Sequence, residues 1–232
     1  MNSTRLIAAF GVCAGLMSPL ATSAATYDVA ADWSTTANPN GPWSYLHGTT
    51  LLPNQPTSCC GLPAVPSFAP SAAPGSFLPW FGQVPGSGEI LVHSYDPGNG
   101  GAAALGEAVL AWTAPDTGLA DISGYFYYAQ YTDRRSNDVT IRLGATVLGS
   151  AVLSYFDHQD SAHRWNFAFD NLAVTAGDMV TVTFQRSAGY AAGSGDAGNM
   201  VVNLTPVPEP ATYMLLLAGL TTLALARRQR PS

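Results

Sequence analysis

From Glu89 onward the chain alternates apolar and polar residues with a period of two. Val139, Ile141 and Leu143 alternate, as do Trp165, Phe167 and Phe169. Val180, Val182 and Phe184 repeat the pattern, and Met200, Val202 and Leu204 close it. Successive side chains of a strand point to opposite faces, so each run predicts a strand with one buried side. Ile90 with Val92, then Ala108–Thr113, Leu119–Tyr131, Thr146–Leu148 and Ala151–Phe156, predict further short strands. Turn-forming clusters separate them at 96–101, 114–118, 133–137, 144–145 and 176–178. Near the start, Tyr27, Val29 and Trp33 mark a first strand, and Trp43, Tyr45 and Leu46 resume after Asn38-Pro39-Asn40-Gly41-Pro42. The total is about nine or ten short strands with no amphipathic helix, which predicts an all-β chain folded as an antiparallel β-sandwich or barrel.

Three stretches break the pattern. Residues 53–85 hold eight prolines. That density excludes a regular helix and a central strand, so a long, mostly extended surface loop is expected there. Residues 1–25 begin with Arg5, an apolar run from Leu6 to Met17, and small residues around Ala24 and Ala25. This reads as a secretory signal peptide cut after Ala24 or Ala25. Residues 206–232 carry Val207-Pro208-Glu209-Pro210, an apolar run over 211–226, then Arg227, Arg228 and Arg230. Sixteen apolar residues make a helix of about 24 Å, a short membrane span with its arginines on the cytoplasmic side. Residues 26–205 between these ends are one domain's worth of chain.

The ends, taken together, resemble a known arrangement. Val207–Pro210, the apolar run and the arginine end occur in the order of the PEP-CTERM sorting signal of Gram-negative bacteria. The resemblance implies an exosortase that cuts near Glu209–Pro210 after export. It implies a passing attachment to the inner membrane and a final place in the envelope or extracellular matrix. The body, from Ala108–Gly118 through the Ala176-Gly177-Asp178 hairpin, resembles the jelly roll of carbohydrate-binding and galactose-binding-like modules.

Charge narrows the partners. Five arginines and no lysine face fourteen carboxylates between Ala25 and Pro206, which leaves that body at −9. No basic patch exists for a nucleic acid to engage. After loss of Cys13, only the adjacent Cys59 and Cys60 remain. They would form a vicinal disulfide, bridge to another chain or stay as thiols; export favours a disulfide.

The aromatic residues suggest binding. Trp43, Tyr45, Trp80, Tyr125, Tyr127 and Tyr131 would supply flat faces for sugar rings, with polar neighbours taking the hydroxyls. Core packing is the competing role for each of them. Asp157, His158, Asp160 and His163 are the densest set of metal-ligand types, yet they lie on one loop with no helix to align them. Asp28, Asp32 and Asp196 would hold a structural calcium ion if the domain ends meet. Gly193-Ser194-Gly195-Asp196-Ala197-Gly198 matches a dinucleotide motif but leads into a strand, not a helix. No nucleophile motif and no obvious carboxylate pair appears. The expectation is an exported, non-catalytic protein without a required cofactor that binds exopolysaccharide. A purely structural matrix protein is the alternative, and a secreted hydrolase the more remote one.

Overall fold

The computed structural model describes residues 23–55, 67–70, 79–94 and 107–207, together with Ala218 and Thr221. Most of the expected signal peptide, Cys59 and Cys60, and Pro208, Glu209, Pro210, Arg227 and Arg228 lie outside those residues. So does nearly all of the expected membrane helix over 211–226. Among the described residues no helix is long and apolar enough to cross a membrane. The compact unit that carries the strands runs from Ser23 to Val207.

Its strands are β1 (Ala25–Asp28), β2 (Trp43–His47), β3 (Thr50–Leu51), β4 (Asn54–Gln55), β5 (Ser67–Phe68), β6 (Trp80–Gln83) and β7 (Ile90–His93). Then come β8 (Ala108–Thr113), β9 (Gly118–Tyr128), β10 (Ser136–Leu143), β11 (Thr146–Ser154), β12 (Trp165–Val174), β13 (Met179–Arg186) and β14 (Gly195–Pro206). Among the described residues they form two antiparallel sheets. The first is ordered β12-β9-β14-β7-β6-β5-β4, with β1 paired to the distal part of β14. The second is ordered β11-β10-β13-β8-β2-β3.

The alternating runs face each other across the sandwich. Val139 and Ile141 of β10, Val180, Val182 and Phe184 of β13, and Leu110 and Trp112 of β8 are buried from the second sheet. Ile122 and Phe126 of β9 and Met200, Val202 and Leu204 of β14 meet them from the first, in one continuous core. Full burial of each such side chain is worth about 1.5–3 kcal/mol. The longest pairing joins β9 and β14, from Tyr128 opposite Asp196 to Gly118 opposite Pro206.

Three sequence expectations change. The expected strands at 146–148 and 151–156 are a single strand, β11, with a register shift opposite Ile141 and Arg142. Tyr155 and Phe156 lie beyond it and are exposed. The aromatic strand ends at Tyr128, so Tyr131 is not part of β9. The proline-rich stretch is extended, and Pro53 and Pro85 are exposed, but its other described parts are built into the first sheet. They form β4, β5 and β6, and Phe68, Ala69 and Phe81 are buried. Phe68 stacks on Tyr45 with ring centroids 5.2 Å apart. Pro53, Pro70 and Pro79 sit just outside these strands. There a missing N–H costs the ladder nothing, and so the sheet tolerates them.

Candidate functional site

Tyr125 and Tyr127 are two residues apart on β9 and share the outer face of the first sheet, while Phe126 and Tyr128 turn inward. Their hydroxyls converge on one carboxylate. Tyr125 Oη donates to Glu89 Oε1 and Tyr127 Oη to Glu89 Oε2, each at 2.9 Å. Ser87 Oγ donates to Oε2 as well, at 2.9 Å. Glu89 directly precedes β7, and β14 lies between β7 and β9. On β14 between them, Ala197 stands opposite both Tyr127 and Leu91, which leaves Tyr127 room to reach across, and Asn199 stands opposite Tyr125.

Burial, then the hydrogen bond and charge of Glu89, push the Tyr127 phenol well above its ordinary value. The same causes raise Tyr125, opposed by the Arg164 guanidinium. That guanidinium lies 4.0 Å from the Tyr125 ring centroid, a cation–π contact. Both phenols therefore remain neutral donors at physiological pH.

Beside Tyr127 the surface opens into a cleft of about 350 Å³. Tyr127 and Tyr131 contribute rings, Val84 and Leu91 an apolar floor, and Gln130, Gln159, Asp160 and Ser161 polar groups. Tyr131 is 98% exposed. Asp160 Oδ1 accepts from Ala162 N, His163 N and His163 Nδ1, each at 2.9 Å. The hydrogen bond from His163 holds this carboxyl below the usual carboxylate range. A wall of two rings with amides and a carboxylate nearby can hold a flat molecule that carries hydroxyls.

The other proposed rings are elsewhere. Trp43 and Tyr45 of β2 point into the sandwich and are fully buried. Trp80 lies over Gly82, buried with Ala69 and Leu91. A buried ring offers no face to a ligand, so these three leave the binding set. Tyr125 keeps its outer position, but Arg164 covers its ring. Tyr127 and Tyr131 remain.

The proposed metal ligands are not drawn around a common point. The ends of the domain do meet, with Asp28 opposite Val201. Asp28 Oδ1, however, caps the turn that follows, accepting from Ala30 N at 3.0 Å and Ala31 N at 3.2 Å. Asp32 Oδ2 accepts from Asp28 N and from Trp43 Nε1, both at 3.0 Å. Asp196 is 0% exposed and faces the interior, where Asn137 Nδ2 and Ser194 Oγ donate to its two oxygens. In the 157–163 loop, the backbone of Asp157 closes on Ser154, and His158 Nδ1 lies 3.0 Å from the His163 carbonyl. Among the described residues no group of three or more His, Cys, Asp or Glu is set to hold a metal ion. Gly195 and Gly198 of the glycine motif are ladder residues of β14, paired with β7 and β9, not a phosphate cradle.

Glu89, Arg164, Gln130 and Gln159 were not singled out by the sequence. Only Glu89 left a trace there, as an acid at the start of an apolar strand.

The PEP-CTERM protein-sorting motif matches residues 206–230. The chain therefore carries the signal of proteins exported across the inner membrane to the envelope or extracellular space. No curated protein matches the sequence. Among solved structures, the C-terminal CBM6 of LamC, a marine laminarinase from Zobellia galactanivorans, is 11% identical. The match covers 69% of this chain and 98% of that one, at a TM-score of 0.30. A GH26-CBM35 β-(1,4)-mannanase from Podospora anserina is 10% identical over 73% of this chain and 29% of its own, at 0.30. CsCBM6-3 from Clostridium stercorarium, in complex with cellobiose, is 10% identical over 72% and 96%, at 0.28. Likeness at that level does not define a ligand. The class in view is thus an exported antiparallel β-sandwich with a C-terminal sorting motif.

Proposed function

We propose that this protein works outside the cell without catalysis, and that it holds a polysaccharide of the envelope or extracellular matrix on the outer face of its first sheet. The cleft between Tyr127 and Tyr131 carries the reading. Its two rings match the apolar faces of sugar rings, and Gln130, Gln159, Asp160 and Ser161 match their hydroxyls. Glu89 and Asp160 are engaged with tyrosines and with His163, which speaks against a pair of free carboxylates poised for glycoside hydrolysis.

Sorting by an exosortase fits the layout of the chain. β14 ends at Pro206, and Val207 is exposed. A cut near Glu209–Pro210 would remove the apolar run and the arginines and leave every described strand whole. Intact mass of the protein from host envelope and medium tests this. A species from near Ala25 to near Glu209, absent when the exosortase is deleted, is expected; one that keeps Arg227–Ser232 in both strains would overturn it.

Binding is tested by affinity electrophoresis of the secreted protein against a panel of polysaccharides, including exopolysaccharide from the host. Retention weakened by both Tyr127→Ala and Tyr131→Ala is expected. Absence of retention by any of them would leave a matrix protein with no discrete ligand.

A further inference from the structure

The charge distribution at the cleft points to the kind of sugar. We propose that it selects a cationic glycan, one whose hexosamine units carry free amines. This rests on the glycan reading above and narrows it.

No arginine, lysine or histidine lines the cleft, and its one charged wall residue is Asp160. The three bonds that Asp160 accepts all fall on Oδ1. Among the described residues, Oδ2 has no protein donor and is left for a ligand. A second carboxylate, Glu89, stands behind Tyr127, held by hydroxyls and not by a cation. Arg164, which would offset it, is committed to the face of Tyr125. The chain as a whole has a formal charge of −6 and no lysine.

Three classes of sugar would meet this site differently. A uronate, sulfate or phosphate would bring an anion beside two carboxylates, where the lining has no arginine or lysine to receive it and the His163 imidazole is already taken up by Asp160, which is unfavourable. A neutral sugar would gain ring contacts and hydrogen bonds but nothing from the charge. An ammonium would donate a charge-assisted hydrogen bond to Asp160 and gain attraction to the negative faces of Tyr127 and Tyr131. The acidic body would also draw a polycation toward it. The volume of about 350 Å³ suits a short saccharide segment.

The test is calorimetry of the secreted protein with three tetramers that differ at one position of each ring: β-1,4-linked glucosamine, its N-acetylated form, and cellotetraose. The pH is kept low enough for the amine to be charged. The glucosamine tetramer is expected to bind about tenfold more tightly than either other, and the advantage is expected to shrink as salt screens it. Asp160→Asn is expected to remove the advantage, so that on this variant the glucosamine tetramer binds no more tightly than cellotetraose does, and Asp160→Glu to retain most of it. Equal binding of the three, or an advantage that survives Asp160→Asn, overturns the inference. If the glucosamine tetramer fails while another saccharide binds in a Tyr127-dependent way, the inference falls and the glycan reading stands. If no saccharide binds, both fall.

Discussion

Asn137 and Asp196 come from opposite sheets, 59 positions apart, and the Asn137 amide donates to the Asp196 carboxyl at 2.5 Å inside the sandwich. Ser194 Oγ donates to the other oxygen at 2.8 Å, and the Asn137 side-chain oxygen Oδ1 accepts from Ser94 Oγ and Ser194 N. No cation is among these partners. Burial therefore dominates, and Asp196 is pushed up to about 7, with the bonds from Asn137 and Ser194 opposing it. The unfolded chain releases this proton near pH 4. Between the two values the folded state holds a proton that the unfolded state has lost. The stabilising contribution of Asp196 is then full below about pH 4 and is lost as pH rises toward 7, by at most about 1.4 kcal/mol per pH unit. In thermal melts across that range, wild type should fall relative to Asp196→Asn, which does not titrate. Parallel curves for the two proteins would mean that Asp196 is ionised throughout.

The tyrosine pair gives a second titration. Glu89 raises both phenols through hydrogen bonding and charge, but burial is the larger cause for each. Glu89→Gln should keep an acceptor in place and remove the charge. Alkaline titration followed by tyrosinate absorbance should then show two phenols moving to lower pH, though not back to the ordinary value. An unchanged curve would mean that burial alone sets these groups.

Much of the sandwich could be read from alternation, because a period of two belongs to strands and the buried set of each run follows from it. Val180, Val182 and Phe184 are all buried, while Thr181 and Thr183 between them are not. Alternation does not say which face of the sheet a ring occupies in space. Trp43 with Tyr45 and Tyr125 with Tyr127 have the same spacing, yet the first pair is core and the second is surface. That difference comes from the partner sheet. Glu89 and Tyr127 meet only because β7 and β9 flank β14, and such neighbours are set by topology. The prolines misled for a related reason. A run of prolines suggests a loop at the surface, but Pro53, Pro70 and Pro79 stand at strand boundaries, where the ladder needs no donor, and the described residues beside them join the sheet.

The core should respond as one unit. Phe184 meets Phe126 of the opposite sheet edge to face, with centroids 5.1 Å apart and planes at 86°. Phe126 in turn stacks on Phe167 at 5.8 Å. Phe184→Ala should cost about 3–5 kcal/mol, since the rings around it are held by their own strands and cannot close the space. Chemical denaturation measures this directly. A cost near that of a surface substitution would mean that the two sheets are not packed as described.

Gly198 tests the central pairing of β14 with β9. It stands opposite Phe126, and a methyl group on its Cα would lie 2.1 Å from the Tyr125 carbonyl oxygen and 2.5 Å from the Phe126 ring. The first neighbour is backbone within a ladder, so it cannot turn aside as a flexible side chain would. Relief requires β9 and β14 to part locally, beside the strand that carries Tyr125 and Tyr127. Gly198→Ala should therefore cost about 1–3 kcal/mol, as overpacking does. It should also weaken binding at the cleft, whose floor includes Ala197, the next residue along. Gly144→Ala is the contrasting case: Gly144 sits in a turn with φ of +55° and open space around it. Its cost should be strain of the turn alone, and the cleft should be unaffected. Unfolding and glycan retention measured on both variants separate the two effects. Equal retention in both would mean that the cleft does not depend on how closely β9 and β14 approach.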